Sequence, residues 1–383
     1  EQQNEDRLDW LVPVRRARMM ASPFAFFRGA ARIMASHLST TPTTGLMVQA
    51  CGDSHLANFG FFASPERKLV FDLNDFDETL PGPWEWDVKR LATSFVIAAQ
   101  HNRLERGLSR AVAQLVVRTY REAMRDFSQM RAIDIWYSLI DETSFLSYID
   151  REQSQKRARK IVAKSKTKES RHAMTRLAEE ADGRYRIKSE PPLLVPLREL
   201  GQTLHILNES LILSAYDAYK EELAPDRRVL LEKYTPIDFA IKVVGVGSVG
   251  TRCIIMLMEG RDRRDPFFLQ FKEAGPSVLE PYLESSPYPN GGRRVVEGQR
   301  LVQAARDPFL GWTEAVRGTT FYVRQLKDWK GSVDVEAADR PRLERYAALC
   351  GFTLARGHAR TGDPVALAAY LGSGDVFDRA VLD

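Results

Sequence analysis

The chain has 383 residues, of which 44% are hydrophobic and 28% charged, with a net charge of +4 and a pI near 8.9. That length exceeds one small core and implies two lobes or domains, and the composition is that of an ordinary globular protein. The mild basic excess admits anionic ligands but falls short of a nucleic-acid-binding signature, and no apolar run reaches the length of a membrane span, so neither nucleic acid nor membrane is an expected partner.

In chain order, Phe24, Phe27, Ala31 and Met34 recur at helical spacing and predict a helix from Pro23 to about Leu38, ended by the Thr-rich stretch 39–44. Leu46 to Ala50 and Lys68 to Leu73 read as short strands flanking a loop that carries Asp53 and Asn58. Pro81-Gly82-Pro83 closes that unit, and a helix begins near Trp86. Leu108, Val112, Leu115, Val116, Tyr120 and Phe127 mark a long amphipathic helix from Arg106. The Lys- and Arg-rich segment at about 151–190 predicts a solvated helical face or a flexible insert, with a docking patch for an acidic partner as the other reading. Leu193 to Leu213 reads as strand or loop and then helix.

The pattern changes near Asp238. Phe239 to Val244, Thr251 to Met258 and Phe267 to Lys272 are β-rich, followed by a helix around 294–305, a strand at 319–326 and a last helix from Pro341 to about Ala359. Domains are therefore expected at 1–237 (helical), 238–330 (β-rich) and 331–383 (helices returning to the first). Cys51, Cys253 and Cys350 show neither zinc nor disulfide spacing, which predicts reduced thiols and a cytoplasmic location. The start, Glu1-Gln2-Gln3-Asn4, has no initiator Met and no signal-peptide pattern, so a trimmed end is expected.

The most informative stretch is Gly52-Asp53-Ser54-His55-Leu56-Ala57-Asn58, followed by Phe71-Asp72-Leu73-Asn74-Asp75-Phe76-Asp77. A phosphotransferase needs one acid to receive the acceptor's proton, and an amide and a second acid to hold magnesium against ATP phosphates. Gathering so many acids without such a task is unfavourable, because like charges repel; the plain alternative is a pair of Asx turns. Gly245-Val246-Gly247-Ser248-Val249-Gly250 is a G-x-G-x-x-G run, but the β-branched residues after it exclude the helix that a dinucleotide fold requires. It suits a glycine-rich hairpin lid, with Gly245, Gly247, Ser248 and Gly250 presenting backbone to phosphates. Lys272, ending an alternating apolar strand, could reach the α- and β-phosphates. A carboxylate must hold it, and Glu297 is the first choice with Glu280 as the fallback. Backbone groups near Gln325 to Lys327 would hydrogen-bond adenine.

These motifs resemble the protein-kinase-like superfamily, most closely its aminoglycoside-phosphotransferase branch. Gly52 to Asn58 matches the Gly-Asp-x-His-x-x-Asn catalytic loop, and Asp75-Phe76 with the downstream Trp86-Asp87-Val88 matches the metal turn and the helix after it. The chain as a whole also looks like a bacterial kinase-like family of unknown function. The resemblance implies an α+β, two-lobed kinase-like fold with a small antiparallel β lobe and a larger, mainly helical lobe. Because Asp53, Asn58 and Asp75 precede Gly245 and Lys272, the order is that of a circular permutation, with helix 342–358 in the place of the one that normally leads into the catalytic loop.

By that resemblance Asp53 is the base or orienting acid, and Asn58 and Asp75 are ligands of magnesium or manganese. Asp77 touches metal or caps the turn, Asp72 supports the loop, His55 orients its neighbours and Asp87 hydrogen-bonds the loop backbone. The implied activity is ATP-dependent transfer of the γ-phosphoryl group to a hydroxyl of a small molecule or protein. Adenylyl transfer, a nucleotide-binding pseudokinase or scaffold, and a metal-dependent hydrolase on Asp53, His55, Asp72, Asp75 and Asp77 are the alternatives.

Overall fold

Ile254, Met256 and Met258 pack on one side of their strand and Ile255 and Leu257 on the other, so the apolar run they form is a strand buried on both faces. The computed structural model describes residues 4–147, 152–167, 170–200, 208–315, 318–326, 329–331, 333–335 and 338–383. Over these residues the protein is α+β.

Helices α1 (Val12–Met20), α2 (Pro23–Gly29) and α3 (Ala31–Leu38) open the chain. The single helix expected from Pro23 is thus divided at Ala30, which has φ −112° and ψ 30°. Strands β1 (Met47–Ala50), β2 (Phe59–Ala63), β3 (Leu69–Leu73) and β4 (Leu80–Pro83) follow, then helices α4 (Trp84–His101), α5 (Arg106–Ser128) and α6 (Ala132–Tyr137). Strand β5 (Ile140–Asp141) and helix α7 (Glu142–Ser147) lead to the basic segment.

That segment begins as the expected helices, α8 (Glu152–Lys166) and α9 (Ser170–Leu177), but ends as a hairpin of β6 (Ala178–Ala181) and β7 (Arg184–Ile187). The hairpin forms because Ala178 and Ile187 pair across it and are buried, while the charged residues between them face out. Next come β8 (Leu194–Pro196), α10 (Glu209–Glu222), α11 (Pro225–Leu231), β9 (Thr235–Lys242), β10 (Cys253–Glu259) and β11 (Pro266–Glu273). Helix α12 (Gly291–Val302), β12 (Gly311–Glu314), β13 (Thr320–Gln325), α13 (Arg340–Ala359), α14 (Pro364–Leu371) and α15 (Val376–Ala380) complete the chain.

Among the described residues the largest sheet is antiparallel, in the order β12-β13-β11-β10-β9-β8. It recruits β8 from well upstream of the expected start at Asp238. Phe267, Leu269 and Phe271 of β11 face the cluster that contains Tyr219 of α10 and Leu11, and Phe268 faces the opposite cluster. Alternation therefore puts Lys272 on the Phe268 side, toward the interior of the molecule. The second core is helical: Phe95 of α4, Val112 and Tyr120 of α5 and Leu343 and Leu354 of α13 pack together with Phe59, Phe61 and Phe71 of β2 and β3. Val295, Val296 and Val302 of α12 join this helical core, so α12 ties the sheet to it. No helix among the described residues is long and apolar enough to cross a membrane.

Candidate active site

The loop between β1 and β2 is held by the helices behind it. Asp87, in the first turn of α4, accepts the Cys51 N–H (2.7 Å) and the Gly52 N–H (3.1 Å). His358 Nε2 lies 3.2 Å from the same carboxylate, and its Nδ1 is 2.8 Å from the Tyr120 hydroxyl. Tyr346 of α13 donates to the carbonyls of Leu56 (2.7 Å) and Phe59 (3.0 Å). Gly52 has φ +80°, and a Cβ there would strike the Glu78 carbonyl, so the turn requires glycine. Asp72 is buried and accepts from Arg356 at 2.5 Å.

Asp53 and Asn58 meet at this loop. Asn58 Nδ2 donates to the Asp53 carbonyl (2.8 Å), which leaves the Asn58 Oδ1 for another partner. Arg90, one turn beyond Asp87 on α4, donates from Nε to Asp53 Oδ1 (2.6 Å) and orients the carboxylate. Sequence reasoning missed Arg90; its place three residues after Asp87, on the same helix face, was the available signal. His55 Nδ1 accepts the Ala57 N–H (3.2 Å), and burial holds its pKa down to about 3. It is a neutral loop former with Nε2 3.8 Å from Asp53.

Lys272 meets the acids of the next turn. Its ammonium pairs with Asp77 and stands 3.8 Å from Asp75 Oδ1. Tyr322, opposite Lys272 on β13, donates to Asp77 Oδ1 (2.8 Å), and Ser248 of the glycine loop donates to Asp77 Oδ2 (3.0 Å). Burial alone would raise the Asp77 pKa, but the charge and hydrogen bond of Lys272, with Tyr322, carry it down to about 2. Burial and then the charge of Asp77 push Asp75 the other way, upward. Lys272 stays charged, since Asp75 and Asp77 outweigh the effect of its burial.

The expected Lys272–Glu297 pair does not form. Glu297 pairs instead with Arg300 on its own helix (3.0 Å), and the fallback, Glu280, accepts the Ser277 N–H (3.0 Å). The reason lies in how α12 is rotated. Gly298 packs so closely on Thr79 that a Cβ would collide with it, and this contact turns Arg294 inward rather than Glu297. Arg294 then donates to the carbonyls of Asp77 (2.7 Å), Thr79 (2.7 Å) and Gly275 (2.9 Å), bracing the acidic turn.

The run 245–250 joins β9 to β10 as the expected hairpin loop, with Gly245 and Gly250 at φ +63° and +96°. The start of the chain grips this loop: Leu8 N–H donates to the Gly250 carbonyl (2.8 Å), and Arg18 to the Gly245 carbonyl (2.6 Å). Asp53, Asn58, Asp75, Asp77, Gly245, Gly247 and Ser248 line one cavity of about 600 Å³. Gln325 lies elsewhere, on a cavity of about 40 Å³, and its N–H donates to Asp307 (2.6 Å). Lys327, named with it, is outside the described residues.

Among the described residues no three His, Cys, Asp or Glu side chains converge as a metal cage. Magnesium in phosphotransferases seldom uses one; it takes one or two carboxylates together with phosphate oxygens and water. The side chains of Asp75 and Asp77 and the Asn58 Oδ1 are of the oxygen-donor type that set requires.

No curated protein and no solved structure gives a significant match. With residues 7–383 matched by its profile, the chain belongs to the family described as "Uncharacterized protein conserved in bacteria (DUF2252)".

Proposed function

We propose that this protein is a phosphotransferase that binds ATP with magnesium or manganese and moves the γ-phosphoryl group to a hydroxyl acceptor. The observation that carries this reading is convergence: Asp53, Asn58, Asp75, Asp77 and the glycine loop, far apart in sequence, line one cavity, and Lys272 pairs with its acids.

In this reading Gly245, Gly247, Ser248 and Gly250 cover the phosphates, and Lys272 meets their charge. Asn58, Asp75 and Asp77 hold the metal, which neutralises the charge developing on the phosphoryl oxygens. Asp53, fixed by Arg90, faces the acceptor. The acceptor oxygen bonds the γ-phosphorus, the bond to the bridging oxygen breaks, the hydroxyl proton passes to Asp53 and ADP leaves. Recognition of adenine at Gln325 requires its N–H to leave Asp307.

A permuted kinase-like arrangement is supported by two features. The glycine hairpin, the lysine strand, α12 and β13 follow one another as the resemblance implies. The end of α13 also meets β1, where Gln49 N–H donates to Thr361 Oγ1 (3.1 Å). A cytoplasmic setting is supported by Cys51, Cys253 and Cys350 being buried free thiols.

Parallel reactions with γ- and α-labelled ATP test the assignment. Label transferred only from the γ position supports phosphoryl transfer, and label from the α position converts the reading to adenylyl transfer. Asp53→Asn should keep nucleotide binding and lower turnover about 10²–10⁴-fold, the range for a positioned proton acceptor. Unchanged turnover would remove Asp53 from its role.

A further inference from the structure

The glycine loop between β9 and β10 is held at both ends by the opening segment of the chain. At its start, Arg18 of α1 donates to the Gly245 carbonyl (2.6 Å). At its end, Arg7 donates from Nη1 to the Val249 carbonyl, and the Leu8 N–H to the Gly250 carbonyl (2.8 Å). The Arg7 side chain also packs on Gly250, where a Cβ would stand 3.0 Å from Arg7 Cβ.

The segment that makes these bonds is itself anchored. Leu8 and Leu11 are buried in one cluster with Val243 and Val249, which flank the loop's tip, and with Tyr219 of α10. Arg15, only 5% exposed, donates to the Gly29 carbonyl (3.0 Å) and ties α1 to the end of α2.

These bonds decide more than where the loop lies. A trans peptide points its N–H opposite to its carbonyl, so holding the Gly245 and Val249 carbonyls also sets the direction of the Val246 and Gly250 N–H groups. Among the described residues the N–H groups of Val246, Gly247, Ser248 and Gly250 make no hydrogen bond. The loop thus has three carbonyls taken and its donors open, which is what an anion requires of a backbone nest. A glycine-rich loop without such ties would sample many conformations, and ordering it would weaken the binding of any ligand it covers.

We infer that Arg7 and Arg18 are positioning residues that hold the glycine loop by its carbonyl groups in the form that receives the nucleotide phosphates. Each acts through the peptide group it holds rather than through contact with the nucleotide. The inference rests on the phosphotransferase reading and adds the opening segment of the chain to its nucleotide site.

The test is calorimetric titration of ATP with magnesium into the full chain. Arg7→Gln combined with Arg18→Gln should weaken binding about tenfold, ~1.4 kcal/mol. Arg7→Lys combined with Arg18→Lys, which keeps a donor for each carbonyl, should come within about threefold of wild type. In a Gly247→Val background the Gln pair should cost less than about twofold more, because both changes act through one loop. Arg18→Gln alone should weaken binding about threefold, and keeps the test valid if the double variant does not fold. Wild-type affinity in the Gln variants, or a full tenfold loss added to that of Gly247→Val, would overturn the inference while the nucleotide reading stands. If wild type itself binds no ATP, the phosphotransferase reading fails first and the inference falls with it.

Discussion

Ser248 and Asp77, 171 positions apart, are joined by a 3.0 Å hydrogen bond that ties the glycine loop to the acidic turn beneath it. The loop is thereby fixed against the turn that carries Asp75 and Asp77. Its tip is also close-fitting, because a Cβ on Gly247 would stand 3.3 Å from the Arg28 carbonyl. Gly247→Val should therefore crowd the space above the acids. ATP affinity should fall about tenfold while the unfolding midpoint moves little, since Gly247 is only half-buried and the loop's core contacts come from Val246 and Val249. Calorimetry and urea unfolding on the same samples check both halves, and unchanged affinity would contradict the lid assignment.

The loop that carries Asp53 and Asn58 hangs on Asp87. Asp87→Ala would leave the buried N–H groups of Cys51 and Gly52 without their acceptor and His358 without its carboxylate. The expected cost is about 3 kcal/mol or more in urea unfolding, with Asp87→Asn losing less because its amide oxygen still accepts. A loss within about 0.5 kcal/mol, the usual range for a surface change, would mean that the carboxylate does not support the loop.

Buried His55 and half-buried Glu78 give stability opposing dependences on pH. The pKa of His55 is about 3 instead of 6.5, so between these values the unfolded chain binds more protons and stability falls as pH drops. That of Glu78 is raised from 4.5 to about 7 by burial, so over that span the folded chain binds more protons and stability falls as pH rises. Glu78→Gln should remove the second effect and leave the first, so that stability climbs more steeply with pH between about 4.5 and 7. Urea midpoints in metal-free buffer read this directly, and a profile parallel to wild type would contradict it.

Much of the site was legible because its residues are declared by local chemistry. The β-branched run after Gly250 excluded a helix, and β9 and β10 do pair around that loop. Asp53, Asn58, Asp75 and Asp77 were marked by spacing, and Lys272 by its place in an alternating strand; the structure brings all five together. What was not legible depends on packing between distant elements. On α12, Arg294, Glu297 and Arg300 all read as polar, and only the contact of Gly298 with Thr79 decides which turns inward. Strand β2 was hidden because Phe59, Phe61 and Phe62 are buried on both faces and show no alternation. Strands β6 and β7 were hidden in a segment whose charge suggested a solvated helix.

The central claim is a metal-dependent nucleotide site built on Asp75 and its neighbours. The most direct measurement is calorimetric binding of ATP to wild type and Asp75→Asn, with magnesium or manganese and without. The account predicts binding that requires the metal in wild type and is lost, or weakened at least about tenfold, in Asp75→Asn. A folded wild-type sample that binds no ATP with either metal present, or an Asp75→Asn protein that binds it equally well, would contradict the account.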